Sequence, residues 1–91
     1  MEYTVGQVVY SKSGHDMGKA FIVTEVEDGY VYLVDGKNRK MDKPKKKKLK
    51  HVQTTNYSDA ELKSKIENKE YLLDADFVKA IKKYSSHNRA Q

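Results

Sequence analysis

Residues 5–35 read VGQVVYSKSGHDMGKAFIVTEVEDGYVYLVD, three short apolar runs separated by two turns that contain glycine. The runs are rich in β-branched and aromatic residues, and we predict strands at 5–11, 19–26 and 30–35. Asp28-Gly29 between two such runs indicates a tight hairpin, because both positions adopt positive φ readily. The stretch therefore predicts a small β scaffold that presents the loop at 12–18.

The residue pattern fixes the faces of the third strand but not those of the second. In the third strand, Val31 and Leu33 share one face because successive side chains point to opposite sides. In the second strand, the face with Phe21 and Val23 competes for the interior with the face that carries Ile22. We therefore leave the inward face of the second strand open.

Beyond residue 36 the apolar pattern fails, and we predict only short strands at 39–41 and 49–53. Pro44 excludes a central strand between them, because proline lacks the N–H donor. The polar residues 54–57 are expected to end the β domain. The fold class predicted is mainly β (β+α): a small, strongly bent β-barrel at 1–54, followed by two short helices at 55–91.

The two helices are predicted from their start signals and their apolar spacing. Residues 58–61 (SDAE) have the pattern of a capping box in which Ser58 caps the first helix, and Asp74 is expected to cap the second. Residues 85–91 are expected to fray. The second helix carries one apolar stripe, formed by Phe77, Ile81 and Tyr84. This stripe either packs on the barrel or faces a partner.

The net charge of +5 on this 91-residue chain is concentrated in one internal segment. Residues 1–36 have a net charge of −4, and residues 52–91 have +1. Residues 37–51 carry nine basic side chains and one acidic side chain, a net charge of +8. A basic segment on such a body is typical of a protein that binds a polyanion. The alternative is a solvated lysine run that only aids solubility.

Composition argues against several classes of protein. The chain has no cysteine, which removes disulfides and thiolate chemistry, and its three histidines stand 36 residues apart without metal-ligand spacing. No apolar run approaches the ~18 residues that a membrane span needs, and no secretory signal is visible. The sequence lacks a nucleotide-binding glycine loop and a cluster of His, Asp and Glu. We therefore expect a cytoplasmic monomer that has no catalytic, metal or cofactor site.

The loop carries a resemblance to a known family. Residues 9–19, VYSKSGHDMGK, together with the strand that follows, closely resemble the KOW motif. The likeness extends over about residues 4–54, through GQVV at 6–9 and VDG at 34–36 ahead of the basic run. The chain is similar to small large-subunit ribosomal proteins of archaea and eukaryotes, and to stand-alone bacterial KOW-domain RNA-binding proteins. The resemblance implies an SH3-like barrel that binds RNA, chiefly ribosomal RNA, and sometimes ribosomal or other proteins, without catalytic activity.

Two sets of residues are candidates for RNA binding. Glycines of the loop can expose backbone N–H groups to phosphate, and the lysine and serine side chains beside them can donate to phosphate oxygens. The segment at 37–51 is dominated by lysine, which favours phosphate contacts over base reading. The candidates are Lys12, Ser13, Gly14, His15, Gly18, Lys19, Lys37, Asn38, Arg39, Lys40, Lys43, Lys45, Lys46, Lys47, Lys48 and Lys50.

Several roles stay open at this point. Asp16 either caps its own turn or accepts from a base amine, and the lysine run is either a formed patch or a flexible arm that orders on RNA. An alternative function is docking on a transcription or translation complex through the barrel and the C-terminal helix. Three tyrosines have two possible roles, namely Tyr10, Tyr30 and Tyr32. They either stack on unpaired bases or belong to the core.

Overall fold

The computed structural model describes residues 3–88 of the chain, which form five strands and two α-helices. The strands are β1 (Gln7–Ser11), β2 (Ala20–Glu27), β3 (Tyr30–Val34), β4 (Lys45–Lys48) and β5 (Val52–Ser58). The helices are α1 (Ala60–Glu67) and α2 (Asp74–Asn88). Every strand pair is antiparallel. The predicted combination of a β-sheet with two C-terminal helices is confirmed.

The sheet has the strand order β4-β3-β2-β1-β5, so four consecutive strands form a meander and β5 returns to pair with β1. Among the described residues, no pairing joins the edge strands β4 and β5, and the sheet is open. Register shifts lie between Gln7 and Val9 in β1 and between Val23 and Glu25 in β2. Such irregularities bend a sheet, because an extra residue on one strand increases the local twist.

The hairpin between β2 and β3 forms where the sequence predicts it. Glu27 pairs with Tyr30, which leaves Asp28 and Gly29 as the two-residue turn. Gly29 has a φ of 80°, in the left-handed region that such a turn requires. The turn fixes the register of the two strands and therefore the faces on which their side chains lie.

Both faces of the sheet are buried, which answers the question left open for β2. Phe21 and Val23 lie in a cluster on one face, and Ile22 lies in a second cluster on the other. The buried members of the first cluster all come from strands, whereas those of the second come from strands and from both helices. The buried members of the first are Val9, Phe21, Val23, Val31, Leu33 and Val52. Those of the second are Val8, Ile22, Val34, Leu62, Phe77, Ala80 and Tyr84.

The helical stripe packs against the sheet. Phe77 and Tyr84 are only 1% and 5% exposed, and Ile81 packs at the edge of the same cluster. Of the two alternatives for this stripe, burial on the sheet is therefore the one observed. Within the described residues, no helix is long and apolar enough to cross a membrane.

The start of α2 is held against the loop that follows β3. The Met41 N–H donates to Asp74 Oδ1 at 2.8 Å. Gly36, which follows β3, has a φ of 83° and lies so close to the Asp74 carbonyl oxygen that a Cβ atom there would overlap it. The backbone therefore approaches the helix at a point where only glycine fits without rearrangement.

Three predicted boundaries in the C-terminal half differ from the structure. The strand predicted at 49–53 is instead β5 at Val52–Ser58, and residues 49–51 form a 3₁₀ turn before it. Polar side chains support the extension of β5: Thr55 Oγ1 donates to the Val8 carbonyl at 2.6 Å. Asp59, not Ser58, caps α1 and accepts from the Leu62 N–H at 3.0 Å. Helix α2 does not fray at 85 but continues to 88, while 89–91 lie outside the described residues.

Candidate nucleic-acid interface

The loop between β1 and β2 is closed at its neck and folded by a short turn. The Ser11 N–H donates to the Lys19 carbonyl at 3.1 Å, and the Gly18 N–H donates to the Ser11 carbonyl at 2.8 Å. Between these bonds, residues 14–16 form a single 3₁₀ turn. Gly14 and Gly18 have φ values of 75° and 84°. Both glycines therefore meet the requirement for turn geometry, and the loop around them is a compact projection.

The basic segment begins with a loop that Asp35 organises. Its Oδ1 atom accepts from the N–H groups of the three residues at 37–39, at 2.8 to 2.9 Å. The Arg39 carbonyl in turn accepts from the Asp35 N–H at 2.9 Å. The short strand predicted at 39–41 is therefore wrong, because the side chain of Asp35 folds this stretch into a turn.

The lysine run itself is a strand. Lys45–Lys48 forms β4, in which Lys45 pairs with Leu33 and Lys48 pairs with Tyr30 of β3. Pro44 stands just before the strand, where its missing N–H removes no ladder hydrogen bond from the pairing. The structure therefore shows the lysine run as a strand of the sheet.

An ion pair joins the loop to the basic segment. The Arg39 guanidinium donates to Asp16 Oδ2 through Nη2 at 2.9 Å and through Nε at 3.3 Å. Asp16 is 5% exposed, so its carboxylate is withdrawn from solvent and is satisfied by this guanidinium. The carboxylate therefore neither caps its own turn nor faces outward toward a base. Arg39, predicted to bind RNA, holds the loop in place.

A second contact joins the loop to β4. The Lys47 ammonium donates to the Ser13 carbonyl at 3.1 Å. At the base of the loop, the Lys12 N–H donates to the His51 carbonyl at 2.8 Å. These contacts join the loop to the basic segment, although the contacting residues lie more than 20 residues apart in the chain.

Most lysines of this surface have no protein partner. Within residues 3–88, eight lysine side chains of the loop and the segment make no hydrogen bond and no ion pair. All but Lys45 are exposed. A shallow depression at 37–45 collects Lys37, Asn38, Lys40 and Lys43 around the exposed Asp42. The eight are Lys12, Lys19, Lys37, Lys40, Lys43, Lys45, Lys48 and Lys50.

Lys46 is held on the other face of β4 by residues of the hairpin. Its ammonium lies 3.4 Å from Glu27 Oε1 and 4.5 Å from the centre of the Tyr30 ring. The Tyr32 hydroxyl donates to the same Glu27 oxygen at 2.6 Å. This hydrogen bond lowers the pKa of Glu27 and raises that of Tyr32, and the Glu27 carboxylate raises the pKa of Lys46.

Tyr10 is not available for stacking. Its hydroxyl donates to the Tyr84 hydroxyl at 3.2 Å, and its ring packs against the cluster beneath the helices. The hydrogen bond to Tyr84, together with burial, raises the pKa of Tyr10 to about 12. Of the three tyrosines considered for stacking, only Tyr30 and Tyr32 lie beside the lysines.

The sequence did not predict the acidic side chains that hold this surface in place, those of Asp16, Glu27 and Asp35. The Asp35-Gly36 turn signal marks the turn but not the capture of three backbone N–H groups by one carboxylate. No local signal links Asp16 to Arg39 or Glu27 to Lys46. The exposed loop residues His15 and Met17 also lie at this surface.

No protein-family model matches the sequence, and no curated protein matches it significantly. Among the described residues, no group of three or more His, Asp or Glu side chains could hold a metal ion.

Proposed function

We propose that this chain is an RNA-binding protein in which a positioned cluster of lysines captures the phosphate backbone. The observation that carries the proposal is the set of eight lysines without protein partners on the loop and on the basic segment, which Arg39 and Lys47 join to each other. Unpaired, exposed ammonium groups on a formed surface create a positive potential that attracts a polyanion. A merely solubilising run would not need its loop and strand to be tied together.

The chemistry of the surface favours RNA shape over base sequence. Its free cations are all lysines, which act as point charges on flexible stems, whereas the only arginine of the segment is engaged by Asp16. Bidentate base reading by arginine is therefore not offered by this surface. Structured RNA presents closely spaced phosphates across its grooves, and such a target suits dispersed lysines.

The fold supports an SH3-like assignment of KOW type. The four-strand meander, the return of β5 to β1 and the two register shifts suit a small, strongly bent sheet. The loop that carries the resemblance lies beside the lysines. By this resemblance the target would be ribosomal RNA, on the ribosome or a precursor, bound by a cytoplasmic monomer without catalytic activity. Because the stripe of α2 is buried, we do not propose docking through it.

The test is the salt dependence of binding to a structured ribosomal RNA fragment, measured by fluorescence anisotropy. If about eight phosphates are neutralised, a plot of log Kd against log salt has a slope of roughly 6 to 7 in magnitude. A flat salt response would contradict electrostatic capture.

A matched pair of variants locates the surface. Replacing Lys40, Lys43 and Lys48 by glutamine removes three exposed, unpartnered charges and is expected to reduce the slope by about 2. Replacing three other exposed lysines by glutamine, Lys69 of the α1–α2 connection and Lys79 and Lys83 of α2, removes the same charge and is expected to change the slope little. Equal effects of the two triple variants would place the binding surface elsewhere.

A further inference from the structure

The sheet face that the helices cover continues past them at the hairpin end of β3. Val34 is fully buried in the cluster with Phe77, whereas Tyr30 and Tyr32, on the same face, are half-buried. Among the described residues, neither ring is packed into either hydrophobic cluster. Two half-exposed aromatic side chains therefore stand on this face outside both clusters.

The strand β4 sets basic side chains along one edge of these rings. Lys46 lies opposite Tyr32 and Lys48 lies opposite Tyr30 in the antiparallel ladder, so both lysines share the face of the tyrosines. The Lys46 ammonium lies 4.5 Å from the centre of the Tyr30 ring and 5.8 Å from that of Tyr32. Across the rings, on β2, stand carboxylates instead.

The strands on the two sides of the tyrosines carry charges of opposite sign. Glu25 and Glu27 of β2 pair with Tyr32 and Tyr30, so the acidic strand lies on one side of the tyrosines and the lysine strand on the other. The Glu27 carboxylate reaches across to the Lys46 ammonium at 3.4 Å. A nucleic-acid backbone is attracted to the lysine side and repelled from the carboxylate side. A base attached to a backbone that follows β4 would point toward the tyrosine rings.

We propose that Tyr30 and Tyr32, with Lys46 and Lys48, form a subsite for unpaired nucleotides, in which bases stack on the rings and the lysines hold the flanking phosphates. This inference rests on the proposed RNA-binding function and names the part of the RNA that is bound here. Bases that are paired within a helix cannot reach the rings, so the subsite selects single-stranded segments beside a structured region.

The contacts that Lys46 makes in the free protein are weak enough for a base to displace it from the Tyr30 ring. A cation above an aromatic ring at an exposed site is a weak interaction, and stacking of a base on the same ring is stronger. The ion pair of Lys46 with Glu27 is also exposed and therefore weak. A base can take the place of the ammonium over Tyr30 while Lys46 exchanges this carboxylate for a phosphate. Stacking is sequence-tolerant, since every base offers an aromatic face, so no base preference is expected.

The test compares two RNAs that carry the same number of phosphates: a hairpin with an unpaired adenine loop, and a fully paired duplex. Replacing both tyrosines by alanine is expected to weaken binding of the hairpin about 10- to 100-fold, and that of the duplex less than about 3-fold. The salt slope is expected to stay the same, because no charge is removed. The double phenylalanine variant keeps the rings and is expected to bind the hairpin nearly as well as the wild type.

Two further measurements keep the outcome clear if the alanine variant folds poorly. Tyr30→Trp places a fluorophore in a chain without tryptophan, and its emission is expected to be quenched by the hairpin and not by the duplex. Tyr71→Ala removes a ring that is 85% exposed in the α1–α2 connection, and it is expected to change neither affinity.

The outcomes separate the subsite from the proposed function. Equal losses on both RNAs, or equal quenching by both, would overturn the subsite while leaving RNA binding in place. Full retention of hairpin affinity in the folded alanine variant would do the same. Failure of the wild-type protein to bind either RNA at low salt would overturn the RNA-binding proposal and the subsite with it.

Discussion

Removing the Arg39 guanidinium is expected to destabilise the protein, because it leaves the Asp16 carboxylate without a partner. The Asp16 side chain is 7% exposed and that of Arg39 is 33% exposed. Leaving a fully buried charge unpaired costs about 3–5 kcal/mol, and an exposed pair contributes about 0–1 kcal/mol. For this intermediate case we expect Arg39→Met to cost about 2 kcal/mol, which lowers Tm by roughly 8–16 °C in a domain of this size.

The assay is a double-mutant cycle with urea and thermal unfolding followed by circular dichroism. Asp16→Asn keeps the shape of the side chain and is expected to cost less, about 1 kcal/mol, because the freed Arg39 is partly hydrated. The double variant is expected to be more stable than the sum of the two single effects predicts, by about 1 kcal/mol. Additivity within about 0.5 kcal/mol would refute the coupling. As a control, Lys46→Met breaks an exposed pair and is expected to leave Tm nearly unchanged.

The same pair decides whether the loop position matters for RNA binding. Asp16→Asn removes a negative charge beside the lysines, so electrostatics alone predicts tighter binding of RNA. If Arg39 and Asp16 hold the loop in its binding position, the variant binds a structured RNA more weakly in spite of its extra positive charge. Tighter binding by Asp16→Asn in the anisotropy assay would show that the tether is irrelevant to binding.

Three further outcomes are expected from the packing of the sheet and helices. Gly36→Ala is expected to destabilise the protein by several kcal/mol in chemical unfolding, because the new Cβ overlaps the backbone of α2. Gly29→Ala has a similar φ of 80° but open space around it, and it is expected to cost only about 1 kcal/mol. Asp59→Ala removes the cap of α1 and is expected to cost about 1 kcal/mol, measured in the same way. Tyr10 is expected to titrate near pH 12 in an ultraviolet titration, and Tyr84→Phe is expected to return its pKa toward 10, because it removes the largest cause of the shift. Since the folded state holds this proton more tightly than the unfolded state, the associated stability is present below pH 10 and is lost as the pH rises toward 12; no such loss in Tyr84→Phe is expected.

The hairpin and the helical stripe could be predicted from the sequence because their signals are local. Asp28-Gly29 sets a two-residue turn, and the alternation of Val31 and Leu33 follows from the period of a strand. The inward face of β2 could not be predicted from the sequence, because both faces of the strand are buried. The second face is covered by Phe77 and its helix, which begins more than 40 residues after β2 in the chain. Periodicity within a strand carries no information about a cover supplied from so far away.

The structure of the basic segment also depends on distant partners. A run of four lysines has little intrinsic preference for a strand, and its pairing with β3 supplies the order. The turn at 36–39 depends on one carboxylate, that of Asp35, which a sequence pattern cannot distinguish from an ordinary turn residue. The shift of the α1 cap from Ser58 to Asp59 has a similar origin, because β5 continues through Ser58 and leaves the next residue to cap.

These contacts explain why residues 1–36 are acidic although they carry the proposed RNA-binding loop. Asp16 holds Arg39, Glu27 holds Lys46, and Asp35 holds the backbone of the first turn of the basic segment. A segment with a net charge of +8 repels itself, and its compact arrangement has to be stabilised from outside the segment. The acidic half of the chain does this by engaging two cations of the segment and the backbone of its first turn. The remaining lysines stay unpaired, so a polyanion that neutralises them would relieve their mutual repulsion as well as bind to them, and binding of RNA is expected to stabilise the folded state.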